Sequence, residues 1–139
     1  MTEFLDRNLA KLQERFPGVY NAVEKDLYPL PGQITINGEM SRGGLPNLKF
    51  VTGDRSVFIH SNYNPHREAE AMVGQQDAEK ADTLIILGFG LGYHLETLIE
   101  KYPNKNKVVV EPHSGILKQA LESRNLSTLL AASNLEIVM

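Results

Sequence analysis

Leu5, Leu9, Leu12 and Phe16 recur at helical spacing, so the first residues predict a helix with one apolar face, ended by Pro17-Gly18. A second short helix follows, with Val19, Tyr20, Val23 and Leu27 turned inward, closing before Pro29 and Pro31. This pair is read as packing on the core or on a partner chain. From Gln33 the pattern becomes strand-like: Ile34 and Ile36 alternate with polar residues. Asn37-Gly38 is a two-residue hairpin signal, because both positions tolerate positive φ. "SRGGLPN" reads as loop, and "LKFVT" and "SVFIHS" read as strands joined through Gly53-Asp54. Residues 33–61 are therefore expected to form a small antiparallel β section.

The pattern then changes again. Asn64-Pro65 marks a helix start, since Asn accepts from early N–H groups and Pro loses nothing at the first helical position. Ala69, Met72 and Val73 give that helix its apolar stripe. Next come a strand at 83–87, a helix at 93–102, a strand at 107–111, a helix from about Ser114, a helical turn near 127–132 and a strand at 135–139. Strands alternating with helices imply right-handed crossovers and a parallel sheet. The expected fold is α/β: a Rossmann-like, mostly parallel sheet with flanking helices over residues 33–139, preceded by the helical segment 1–32 and including the antiparallel section. A parallel strand is usually followed by a covering element. The terminal "LEIVM" therefore gives the expectation of an N-terminal piece of something longer.

Composition narrows the functional classes. The 139 residues fit one domain with a real core. A formal charge of -3 argues against a nonspecific nucleic-acid binder, which needs an excess of Lys and Arg on one face. Cysteine is absent, which removes disulfides, thiolate metal sites and Cys nucleophiles together. "MTEFLDRNLAKLQERF" mixes acids and bases with apolar residues, unlike a signal peptide, and no apolar run is long enough for a bilayer. The expectation is a mildly acidic cytoplasmic domain without a nucleic-acid or membrane partner.

"LIILGFGLGYHLETLIEKY", residues 84–102, places Gly88, Gly90 and Gly92 between a strand and a helix. Backbone N–H groups and a helix dipole at such a loop can hold a phosphate. Glu111, 19 residues after Gly92 at the end of the next strand, stands where an acid would hold ribose hydroxyls. A dinucleotide fingerprint needs a third small residue where Tyr93 or Leu95 sits, according to register. The loop is closer to the Gly-x-Gly-x-Gly of S-adenosylmethionine methyltransferases, but the acid expected two residues before the first glycine is Ile86. Gly88, Gly90, Gly92, Tyr93 and Glu111 are thus the candidate cofactor set, for a nucleotide or S-adenosylmethionine. A purely structural strand-to-helix turn is the competing reading.

"IHSNYNPHREAE" supplies a second polar group. If the strands at 56–61, 83–87 and 107–111 are parallel neighbours, His60, Ser61, Tyr63, Glu68 and His94 share one crevice with the glycine loop and Glu111. No compact His pair suggests a metal, and no Gly-x-Ser-x-Gly elbow is present. His60 and its neighbours leave proton-transfer chemistry open without naming a substrate.

Taken in order, "NLAKLQERFP", "HSNYNPHREAE", "LIILGFGLGYHLETLIEK" and "VVVEP" resemble the N-terminal domain of the motility accessory factor family, bacterial flagellin glycosyltransferases. The resemblance covers nearly the whole chain. It implies an enzyme that moves a nonulosonic acid from its CMP-activated form to Ser or Thr of flagellin in the cytoplasm. Its catalytic, sialyltransferase-like domain would follow Met139, so the resemblance carries no catalytic residue onto this chain. It leaves a Rossmann-type module for flagellin docking, for oligomer contacts through the N-terminal helices, or for a vestigial nucleotide site.

Overall fold

The computed structural model describes residues 2–139. Helices α1 (Thr2–Arg15) and α2 (Pro17–Glu24) break where Pro17 takes the first position of the second helix. Proline is tolerated there because its missing N–H would have no helical partner. Leu12, Val19 and Val23 are buried, with Leu5, Leu9, Phe16 and Tyr20 packed at the margin of the same core. Leu27 departs from the expectation and is 49% exposed. The helix closes at Glu24, and Asp26 at φ 47 turns the chain, so Leu27 lies off the helical face.

Strands β1 (Thr35–Met40), β2 (Pro46–Thr52) and β3 (Arg55–Phe58) form the antiparallel sheet in the order β1-β2-β3. Gly53-Asp54 turns the chain between β2 and β3, as expected. Asn37-Gly38 does not turn. Asn37 stands opposite Lys49 and Gly38 opposite Leu48, inside the ladder. The reversal falls instead at Ser41–Leu45, where Ser41 N–H donates to the Leu45 carbonyl at 2.7 Å and Gly44 takes φ +82. That later turn leaves β1 long enough to pair Ile36 with Phe50, both of which pack on the core.

Helix α3 (Pro65–Gly74) starts as predicted, with the Asn64 side chain accepting from Arg67 N–H at 3.1 Å. Then follow β4 (Thr83–Leu87), α4 (Tyr93–Lys101), β5 (Asn106–Val110), α5 (Ser114–Ser123), α6 (Ser127–Leu130) and β6 (Leu135–Val138). The last three strands make a separate parallel sheet, β4-β5-β6, in which Ile86 stands beside Val109 and Val109 beside Ile137. The protein is thus mixed α/β, with one antiparallel and one parallel three-stranded sheet.

Burial alternates across the parallel sheet. Val109 and Ile137 join Leu95, Leu117, Leu121 and Leu130 in the core, whereas Ile85, Leu87 and Val138 are exposed. Helix α1 is fastened to this core by buried Asn8. Its amide donates to the Leu121 and Arg124 carbonyls at 2.8 and 2.6 Å, and its oxygen accepts from Leu126 N–H at 3.0 Å.

The condition that 56–61, 83–87 and 107–111 be parallel neighbours holds only for the last two: β4 pairs parallel with β5, whereas β3 pairs antiparallel with β2, within the antiparallel section expected for 33–61. A two-residue turn closes the β2–β3 contact at a far smaller loop entropy than a partner some 25 residues away. Past β3, Ile59 N–H still donates to the Leu48 carbonyl at 2.9 Å. Buried Asn47 then clamps the next residue: its oxygen accepts from His60 N–H at 3.1 Å, and its amide donates to the His60 carbonyl at 3.0 Å. Asn47→Ala is expected to cost about 2 kcal/mol, because it strands buried backbone groups. Urea unfolding checks this, and a loss below about 0.5 kcal/mol would show that the clamp is dispensable.

Candidate functional site

Five residues, Gly88–Gly92, carry the chain from β4 into α4. The glycines alternate at φ +91, +55 and +88, a left-handed backbone that side chains with a Cβ resist. Phe89 and Leu91 between them are driven inward, to 2% and 0% exposure. A Cβ on Gly88 would meet nothing within 4 Å, so only its backbone angle calls for glycine. A Cβ on Gly90 would lie 2.8 Å from His60 Nε2. At Gly90 the chain gives up a side chain so that an imidazole can approach.

The loop's donors are largely engaged by the protein itself. Gly88 N–H donates to the Val110 carbonyl at 2.7 Å, and Gly92 N–H to the Phe89 carbonyl at 2.9 Å. Phe89 N–H donates to Glu111 Oε1 at 2.9 Å, and His113 N–H to Glu111 Oε2 at 3.0 Å. Leu91 N–H donates to His60 Nε2 at 3.0 Å. Glu111, 2% exposed, stands inside the turn as an internal anion.

His60 grips the loop from the other side. Because Nε2 accepts, the ring is neutral with its proton on Nδ1, which faces Glu68 Oε1 at 3.5 Å. Burial first, then the charges of His94 and Arg124, hold its pKa at about 4. His94 stacks on it with ring centroids 5.6 Å apart, and its own pKa is lowered, chiefly by burial. Tyr93 meets His60 edge-on at 5.0 Å and donates its hydroxyl to the Pro46 carbonyl at 2.6 Å. Burial is the main cause that raises this phenol to about 12. Arg124 lies 4.0 Å over the Tyr93 ring, donates to the Leu91 carbonyl at 2.9 Å, and forks onto Glu96 at 3.0 and 3.1 Å.

The folded chain therefore brings His60, Glu68, Tyr93 and His94 together on one flank of the loop. Gly88, Gly90 and Glu111 border a crevice of about 570 Å³ that His60, Glu68, Tyr93 and His94 do not line. Leu30, Ile34, Phe50, Ile59, Leu87 and Val110 make that crevice apolar. Ser61 and Tyr63 join neither group. Ser61 Oγ accepts from Tyr63 and Asn64 N–H at 3.2 Å each, and Tyr63, 66% exposed, lies against Arg42. Among the described residues no three His, Asp or Glu side chains are placed to hold a metal.

Sequence reading missed Asn47 and Arg124. Asn47 carried one signal, a polar residue beside an apolar strand run. Arg124, just past the end of a helix, carried none. The buried side chains of this arrangement, Glu111 and His60, are turned to the backbone N–H groups of the loop. Its chemistry is the satisfaction of backbone donors.

A family model described as "Glycosyltransferase Maf N-terminal domain" matches residues 52–134, from the last residue of β2 to the residue before β6. An "uncharacterized protein" of Treponema pallidum (strain Nichols) is 27% identical over 143 aligned positions, covering 98% of this chain and 47% of that protein. The chain thus spans about half the length of that relative. The solved structure of a Maf glycosyltransferase from Magnetospirillum magneticum AMB-1 superposes with a TM-score of 0.68 at 16% identity, over 99% of this chain and 27% of that one. This last likeness shows the fold. Since the matched segment holds the polar passage, the glycine loop and Glu111, and takes in more than half of the residues, the chain belongs to the Maf glycosyltransferase N-terminal domain family.

Proposed function

We propose that this chain is the non-catalytic, Rossmann-like N-terminal module of a cytoplasmic flagellin glycosyltransferase. In this reading a separate downstream domain transfers a nonulosonic acid from its CMP-activated form to flagellin Ser or Thr. The module serves flagellin docking or self-association through its N-terminal helices.

One observation carries the non-catalytic part. The amides that would face a phosphate are held by Glu111 and His60, the protein's own side chains. Glu111 already accepts from two N–H groups, through Oε1 and Oε2. A ribose would have to compete with both. With Ile86 where a methyltransferase carries its acid, S-adenosylmethionine is the less favoured ligand. Among the described residues no helix is long and apolar enough to cross a membrane.

Calorimetric titration of the chain with S-adenosylmethionine and with CMP is expected to give no saturable heat up to millimolar ligand. Micromolar binding of either would replace the docking reading with a ligand-binding one. Solution scattering addresses self-association: the expected result is a particle larger than one chain, and a compact monomer at high concentration removes that role.

A further inference from the structure

We propose that His60 is a proton-operated latch on the Gly88–Gly92 loop: neutral, it holds the Leu91 amide and fixes the start of α4, and protonated, it lets the loop go. The argument begins with the hydrogen bond. An imidazolium carries N–H at both positions, so protonation would turn the acceptor of Leu91 N–H into a donor aimed at a donor. The ring has no slack on that side, because it fills the space a Gly90 side chain would take.

The groups around the ring give the motion a direction. From α3, Glu68 Oε1 lies 3.5 Å from Nδ1, and among the described residues both atoms are buried without a hydrogen-bond partner. From α4, His94 stacks on the ring and Tyr93 meets it edge-on. Arg124, at the end of α5, holds the Leu91 carbonyl and forks onto Glu96; His66 of α3 lies 3.9 Å from Glu96. Asn47 of β2 pins the His60 backbone. Once charged, the ring is repelled by Arg124 and its Nε2–H by the Leu91 amide, and it swings away from the loop into water.

The sign follows from the ring's two environments. Closed, its pKa is held at about 4; released into water it returns to about 6.5. The latch is fully set above pH 6.5 and weakens as pH falls toward 4. Between pH 7.5 and 5 the opening constant is expected to rise about thirtyfold.

Amide hydrogen exchange of Leu91, corrected for intrinsic rates, reads this directly, with Val109 of β5 as an internal reference. Leu91 protection should fall about thirtyfold between pH 7.5 and 5, and at each pH should lie well below that of Val109, whose exchange needs the whole fold to open. His60→Gln keeps an acceptor for Leu91 but does not titrate, and should lose most of the fall, whereas His94→Gln should keep it. Nitrogen-15 shifts of the His60 ring in the unaltered chain, expected to show the Nδ1–H form at pH 7, need no variant to fold. An Nε2–H ring, a Leu91 amide indifferent to pH, or a Leu91 amide as strongly protected as Val109 would each overturn the proposal.

Discussion

Glu111→Ala is expected to lower folding stability by about 4 kcal/mol, the largest loss of any single truncation at the loop. The carboxylate is 2% exposed and accepts from Phe89 N–H at 2.9 Å and His113 N–H at 3.0 Å. One bond fixes the glycine turn and the other the approach to α5. Truncation leaves both donors facing a cavity, and a buried unpaired donor costs about 1–3 kcal/mol, more where the lost partner was charged. Glu111→Gln should cost about half as much, since its carbonyl oxygen can serve only one N–H while its NH2 meets the other. Because the hole offers the two N–H donors that held a carboxylate, about 100 mM formate should restore part of the melting temperature of Glu111→Ala and none of that of Glu111→Gln. Thermal and urea unfolding measure both. A loss under about 1 kcal/mol would mean that Glu111 is not the internal anion of this turn.

Gly90→Val should come next, at about 3–4 kcal/mol. An L side chain at φ +55 costs about 1–2 kcal/mol from its backbone alone, more when β-branched. The new Cβ would also fall 2.8 Å from His60 Nε2 and 3.0 Å from Cε1. The ring must give way, and with it the bond to Leu91 N–H. The two causes separate in a double-mutant cycle. Gly90→Ala and His60→Ala should combine with less than additive loss, by about 1 kcal/mol or more, because removing the ring relieves the clash. Additive losses would show that Gly90 is required for its backbone angle alone. Gly88→Ala is the control: it has the strained φ of +91 but open space around its Cβ, so it should cost less than Gly90→Ala.

Much of this was legible in the chain. The end of the first helix predicted at Pro17-Gly18, the Asn64 cap, the Gly53-Asp54 turn and the alternation of strands and helices after residue 83 appear at or within a residue or two of their predicted places. Family membership was legible too, from the polar passage and the glycine loop taken in order. Asn37-Gly38 misled because turn propensity is a weak preference; pairing Ile36 with Phe50 in the ladder outweighed it. The parallel placement of residues 56–61 failed for a similar reason, since a nearby antiparallel partner closes at less entropic cost than a distant parallel one.

What the sequence determined by itself is whatever depends on neighbours along the chain: where helices cap, where glycine must bend the backbone, which residues alternate. What only the tertiary structure decided is who occupies the loop. Glu111 lies 22 residues from the amide of Phe89 and His60 lies 31 from that of Leu91, and both complete hydrogen bonds that residue types alone leave open to a ligand. An N–H group does not specify its acceptor. The partner is selected by packing, through the Asn47 clamp, the approach of His60 to the bare Cα of Gly90 and the register of β4 against β5, none of which is a property of any short stretch of sequence.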